Sequence, residues 1–174
     1  MPTPHVECHS LSALGEVPNN PRCPLLLYRH VLAGEGDRAS AFERLFAANG
    51  WGNGWRDGIY DHHHFHTTAH EVLGIAAGTA AVRFGGEQGV TVEIQAGDLV
   101  VIPAGVAHRN LGASDDFLVV GAYPVGTEPD MNRPGDGDLI AQQARIAAVP
   151  LPTTDPAYGR DGPLLRAWGE GAEG

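Results

Sequence analysis

Between Gly58 and Gly78 the chain reads GIYDHHHFHTTAHEVLGIAAG, and the stretch from His62 to Glu71 holds five of its nine histidines and one glutamate. Imidazole is the commonest transition-metal ligand in proteins, and it binds as the neutral base. If the segment runs as a strand, side chains alternate faces: Tyr60, His62, His64 and His66 share one side, while His63 and Phe65 take the other. His64 and His66 then converge on one ion. After a four-residue spacer Glu71 can add an anionic oxygen, with Leu73 and Ile75 on its face of the next strand. Its neighbour His70 also fits, with a three-residue spacer. Glu71 is taken as the inward residue, which leaves His70 in the turn that leads to the strand. A second segment from Gly97, GDLVVIPAGVAHRN, follows a Pro-Ala-Gly turn with His108, a further ligand. A histidine run can also be a solvated surface feature, but this one is internal and joined to a glutamate and a distant histidine. The pattern predicts one divalent transition metal per chain, held by His64, His66, Glu71 and His108.

The spacing of these residues resembles the cupin superfamily. Its first motif is Gly, five residues, His-x-His, three or four residues, Glu, six residues, Gly; Gly58, His64, His66, Glu71 and Gly78 fill it. Its second is Gly, five residues, Pro-x-Gly, two residues, His, three residues, Asn; Gly97, Pro103, Gly105 and His108 fit, but Gly112 stands at the last position and Asn110 comes two residues early. Outside the motifs, PNNPRCPLLLYR, NGWGNGWRDGIYDHHHFH, SDDFLVVGAYPVG and DPAYGRDGPLLRAW are similar to the small single-domain bacterial cupins of the YjlB type. The resemblance implies an all-β fold: a single cupin β-barrel (double-stranded β-helix or jelly roll) with one or two short peripheral helices. It implies a mixed histidine and carboxylate ligand set. It also implies a homodimer paired through N-terminal strand edges, whose unpaired backbone groups invite a partner. Dioxygenase, decarboxylase and isomerase chemistries all occur on this fold, so fold alone does not choose among them.

At 174 residues the chain can bury roughly two thirds of its unfolded surface and needs no staples. Its 24 glycines and 13 prolines, spread between apolar runs, read as turns of an all-β protein. The net charge is −10 and every basic side chain is arginine. The charge has the wrong sign for nucleic acid, and the lack of lysine excludes Schiff-base chemistry. Two cysteines, Cys8 and Cys23, make no disulfide framework. The start, MPTPHVECHSLSALG, has neither a basic flank nor a long apolar run, and no segment reaches the ~20 apolar residues of a membrane helix. A cytoplasmic protein with no nucleic-acid or membrane partner is expected.

The chain is read as one domain over 1–174: N-terminal strands and a helix in 1–57, a barrel core with both motifs in 58–124, and a helix with a wrapping tail in 125–174. His5–Ser12 reads as a strand, GEVPNNPRCP as a connector and Leu25–Val31 as a second strand. Arg38–Asn49 places Phe42, Leu45 and Phe46 at helical spacing before Gly50. NGWGNGW reads as a glycine-rich turn. Ala80–Phe84, Val90–Ile94, Leu99–Ile102 and Phe117–Tyr123 read as barrel strands, and Leu139–Ala148 as a helix. The tail from Pro150 is anchored by Tyr158, Leu164, Leu165 and Trp168. Trp51, Trp55 and Trp168 are read as packing residues, and Arg109 as outward.

Three imidazoles and a carboxylate around a divalent ion leave a net charge near +1 and open positions. They suit Fe, Mn, Ni, Co, Cu or Zn without choosing among them. A small oxygen-bearing substrate, such as a carboxylate, enolate or keto compound, would occupy those positions in a metal-dependent, dioxygenase-like enzyme. His62 and Tyr60 are the candidate proton-transfer residues, and Asn110 and Tyr123 could line the pocket. The alternatives are a non-catalytic metal or small-molecule binding protein, and a metal-dependent isomerase or decarboxylase.

Overall fold

Several apolar runs here have no polar face, so both of their sides must be covered. A computed structural model describes residues 5–172 and shows how. The strands are β1 (Val6–Leu11), β2 (Asn20–Tyr28), β3 (Trp51–Asp57), β4 (Glu71–Ala77), β5 (Thr79–Phe84), β6 (Val90–Gln95), β7 (Leu99–Ile102), β8 (His108–Ala113) and β9 (Leu118–Pro124). The helices are α1 (Arg38–Ala48), α2 (Leu139–Ala148) and α3 (Pro163–Ala172). The strands form an antiparallel six-stranded sheet, β1-β2-β7-β4-β9-β3, and a three-stranded sheet, β6-β5-β8. No helix among the described residues is long and apolar enough to cross a membrane.

Strand alternation sorts the large sheet into two cores. Leu25, Leu27, Leu73, Ile75, Val100 and Ile102 point between the sheets and meet Val82, Phe84, Val92 and Ile94 of the small one. Their neighbours Leu26, Tyr28, Val72 and Val101 point the other way, against Phe42, Phe46, Leu164 and Trp168 of α1 and α3. Each such aliphatic or aromatic side chain contributes roughly 1.5–3 kcal/mol when fully buried. Strand β6, VTVEIQ, alternates buried and exposed because no helix covers it.

The details differ from the sequence expectations in four places. In NGWGNGW only Asn49 and Gly50 turn; Trp51 to Trp55 belong to strand β3. It pairs with β9, and a Cβ at Gly121 would lie 2.1 Å from the Trp55 indole, so the glycine opposite leaves room for the ring. Strand β2 starts at Asn20, five residues early, and ends at Tyr28. Pro21 and Pro24 fall beside a register shift between His9 and Leu11 of β1, before pairing to β7 begins at Leu26, where ladder N–H groups are not needed. The tail holds a third helix, α3. Asp155, fully buried, caps that region by accepting from the Tyr28 hydroxyl and from the N–H groups of Ala157, Tyr158 and Leu164. Finally, the histidine run is irregular chain with isolated bridges at His64 and Phe65, not a regular strand.

Helix α1 begins at Asp37, whose carboxylate accepts from the Ser40 N–H at 3.1 Å. Its Phe42 ring lies over Gly74 of β4, where a Cβ would come within 2.6 Å of the ring. Gly74→Ala is therefore expected to cost about 1–3 kcal/mol by overpacking, and adding Phe42→Leu to recover part of it. Urea denaturation of the two variants checks this; an unchanged midpoint for Gly74→Ala would show that the ring is not held against the strand.

Candidate metal centre

Backbone pairing brings the two motifs together. His64 and His108 exchange N–H···O=C bonds of 3.2 and 3.0 Å, and the Gly105 N–H donates to the His66 carbonyl at 2.6 Å. The imidazoles of His64, His66 and His108, all buried, consequently have ligand atoms within 4.8 Å of one another. Each ring is turned by a backbone carbonyl. Nδ1 of His64 faces the His62 carbonyl at 3.3 Å, Nδ1 of His108 the Val106 carbonyl at 3.1 Å, and Nδ1 of His66 the Asp130 carbonyl. A carbonyl only accepts, so each Nδ1 carries the hydrogen. In the neutral ring Nε2 is then a lone pair free to ligate a metal.

Glu71 opens β4 on the inward parity. Its carboxylate oxygens lie 3.5 Å from Nε2 of His66 and 3.4 Å from Nε2 of His108. It stands outside the tight set of three imidazoles but beside two of them. His70 is one residue earlier and faces the opposite side. It is not in an open turn leading to the strand: it is buried, its ring centroid 4.7 Å from that of Trp168, and its Nδ1 accepts from the Ala104 N–H at 2.9 Å.

Burial pushes the His64 imidazolium down to about 2, helped by the neighbouring His108. For His66 burial acts the same way, but the Glu71 carboxylate outweighs it and raises that ring above its ordinary value. Burial alone would raise Glu71; the adjoining His66 and His108 instead hold it well below the usual carboxylate range. Without a metal, the Glu71 carboxylate thus favours a proton on His66, while burial keeps one off His64. Displacing that proton is what a divalent cation does on binding such a set.

The centre forms one wall of a cavity of about 330 Å³. Tyr60 lines it at the mouth, 54% exposed. His62 does not line it: its ring stacks on Tyr60 at 5.1 Å, on the solvent side. His63 is partly covered and meets Glu87 at 3.1 Å, while Phe65 is fully buried under Val17 and Ala107 instead of facing solvent. Asn110 is not in the cavity; its side chain accepts from the Gly112 N–H. Arg109 points away, donating to the Asp61 carbonyl. Trp55, expected from the sequence to pack only, lines the cavity and donates from Nε1 to the Tyr123 hydroxyl at 2.9 Å.

Other residues of the site carry little sequence signal. Thr67 donates its N–H (2.6 Å) and its hydroxyl to the Asp130 carboxylate, fixing the loop whose carbonyl turns His66. Although burial opposes it, this bonding keeps the Asp130 carboxyl below its ordinary value. Asn19 accepts from the Ala107 N–H at 3.3 Å, and Asn20 donates to the Ala104 carbonyl at 3.0 Å, clamping the turn before His108. Asn19 and Asn20 lie in a stretch read as a connector.

With the geometry in view, comparison with known proteins adds the following. A family model described as "Cupin domain" matches residues 57–120. The chain is 40% identical over 156 residues to the uncharacterized protein YjlB of Bacillus subtilis (strain 168), covering 88% of this chain and 91% of that one. The chain belongs to the cupins of the YjlB type. Among solved structures it is similar to acireductone dioxygenase from Bacillus anthracis at 22% identity, over 58% of this chain and 70% of that one, with a TM-score of 0.37. It is also similar to the dTDP-6-deoxy-D-glucose-3,5-epimerase RmlC from Legionella pneumophila at 15% identity, over 68% and 71%, with a TM-score of 0.39.

Two outcomes follow for this cupin. Untagged protein should carry a divalent ion that His64→Ala and His108→Ala lose and His63→Ala keeps, by elemental analysis; full metal content in either of the first two would rule out the histidine set. The second concerns acid. Burial pushes His70 down to about 4, below its ordinary 6.5, so the unfolded chain takes up that proton first. Its contribution to stability is complete above about pH 6.5 and is lost as pH falls toward 4. Over that window His70→Asn should unfold with a pH slope smaller by about one proton than the parent, both metal-free. Equal slopes would mean that His70 ionises freely in the fold.

Proposed function

We propose that this cupin is a metal-dependent enzyme acting on a small oxygen-bearing substrate, a carboxylate, enolate or keto compound, with dioxygenase-type chemistry as first choice. One observation carries the reading: the donor set stands on the wall of a cavity large enough for a small molecule, whereas a structural metal would be enclosed by its ligands. An ion held by His64, His66, His108 and Glu71 would supply a Lewis acid, or an electron donor to dioxygen, facing that cavity.

The protein's own groups suit such a substrate. Ile59, Leu73 and Met131 make an apolar wall that excludes water and limits size. Tyr123 accepts from Trp55, so its own hydrogen is free to point at Glu71 or at a substrate oxygen. Burial, and then the Glu71 charge, raise its ionisation well above the ordinary tyrosine value, so it stays a donor. Tyr60, at the mouth and backed by the His62 ring, is placed to pass protons between cavity and solvent. Three neutral imidazoles and one carboxylate leave a divalent site with about one positive charge, which favours an anionic oxygen over water in a low-dielectric cavity.

Cobalt-substituted protein should therefore change its visible spectrum with 2-oxo acids, enolates or azide, and iron-loaded protein should consume oxygen with one substrate of this class. Tyr123→Phe should keep its metal and lose about 10- to 100-fold in kcat/KM, the worth of one hydrogen bond to a charged group. A spectrum insensitive to every chelator would sink the enzyme reading. Binding without turnover would make this a small-molecule binding cupin.

A further inference from the structure

A second cavity, of about 610 Å³, lies between the start of β2, helix α2 and the segment after it. His70 belongs to its lining and is only 1% exposed. Because the Ala104 N–H donates to Nδ1, the neutral ring must carry its hydrogen on Nε2. Among the described residues that N–H has no hydrogen-bond partner. The Pro150 carbonyl faces the ring and favours its protonated form as a hydrogen bond would, but it stands outside hydrogen-bond geometry. A buried donor without an acceptor is rare and costly in a folded protein, and in a cavity it marks the place where a ligand atom belongs.

The rest of the lining says what ligand. Pro18, Pro21, Ile146, Val149 and Leu151 make it largely apolar. The amides of Asn19 and Asn20 are spent within the protein, on the carbonyls of Ser12, Gly85 and Ala104 and on the N–H groups of Arg22, Cys23 and Ala107. Among the described residues no aspartate or glutamate lines the cavity, on a chain of net charge −10, and the one charged side chain there is Arg22. Arg22 has no salt bridge among the described residues. An acceptor oxygen, an apolar body and one negative charge satisfy all of these features together. We propose that this cavity is a second binding site, for a small, mainly apolar carboxylic acid whose oxygen accepts the His70 Nε2–H and whose charge is balanced by Arg22. The site is independent of the metal centre, since His70 and Glu71 face opposite sides of the sheet.

The probes are benzoate, hexanoate and 4-phenylbutyrate, each beside its matching alcohol, titrated into the full-length, metal-loaded protein. Nitrogen-15 NMR of the histidine rings reads the outcome directly, because His70 holds its hydrogen on Nε2 whereas the three clustered rings hold theirs on Nδ1. At least one acid should shift the His70 Nε2–H resonance and bind ten times or more tighter than its alcohol. His70→Asn keeps an acceptor for Ala104 and removes the Nε2–H, since the shorter amide cannot put a donor at that position; it should weaken binding at least tenfold. Ala147→Trp, at an exposed position of α2 on the cavity lining, should abolish binding without touching the core. Three results would overturn the proposal. One is no His70 shift with any acid up to about 10 mM. Another is parent-like affinity in both variants. The third is light scattering that shows a self-associated parent made monomeric by Ala147→Trp, which would make a second copy of the chain the occupant. Acids that act only at the metal centre would move the His64, His66 or His108 resonances and spare His70, so failure of either site is told apart from failure of the other.

Discussion

Everything at the centre depends on one backbone constraint: the turn from Pro103 to Ala107 is held on several sides before any side chain reaches toward a metal. Gly105 donates to the His66 carbonyl, the Ala104 N–H goes to His70 and its carbonyl to Asn20, and the Ala107 N–H goes to Asn19. Gly105 has φ +92°, and a Cβ there would lie 2.4 Å from the Asn19 carbonyl oxygen, so the turn and the clamp are built for each other. His108 then leaves the turn in register with His64. The rings meet because their backbones are paired, and each is aimed by a carbonyl on Nδ1. This is preorganisation: the orientation of the donors is settled by folding, not by the ion.

Such a cluster is expensive for the fold. Three imidazoles and a carboxylate occupy volume that Leu73 and Ile102 show could be filled by hydrocarbon, and desolvation opposes the charged forms of His64, His66 and Glu71. Against that opposition the Glu71 carboxylate favours a proton shared with His66, while burial keeps His64 toward its neutral form. Local conflict of this kind is characteristic of functional sites, where consistency with the rest of the fold gives way. It would also be released on uptake of a divalent cation, which replaces the shared proton with two positive charges.

Much of this was legible in the sequence because motif spacing encodes backbone geometry. Gly78 and Gly97, like Gly105, take positive φ where a side chain would collide with neighbouring backbone, so their positions mark turns that no other residue fits. The doubly apolar runs of β4 and β7 declared strands covered on both faces. What stayed hidden was set by contacts distant in the chain. NGWGNGW looks like a turn because glycine favours turns, but pairing with β9 overrides that preference. The tail helix α3 is amphipathic only with respect to a surface that β2 provides, through a Trp168 Nε1–H bond to the Pro24 carbonyl. Trp55, Thr67 and Asp130 carry no motif signal because their parts in the site are to hold something else. His62 was misplaced by extending strand parity through a segment that is not a strand.

Where strand parity does hold, it divides labour between adjacent residues. At the entry to β4, His70 and Glu71 differ by a single step, and the pleat sends one to Trp168 and the outer core and the other to the imidazoles. A slip of one residue in β4 would exchange them, burying the carboxylate against an indole and removing the anion from the centre. The strand is protected from that slip on both sides. Its ladder to β7 runs from Glu71↔Ile102 to Gly74↔Leu99, and its ladder to β9 begins at Val72↔Ala122. Phe42 of α1 adds a steric lock, since a Cβ at Gly74 would lie 2.6 Å from its ring, and a slip that put a larger β4 residue there would crowd the helix. The register of one short strand, fixed by a glycine under a phenylalanine, therefore decides which face of this cupin carries the carboxylate and which carries the unpaired imidazole N–H.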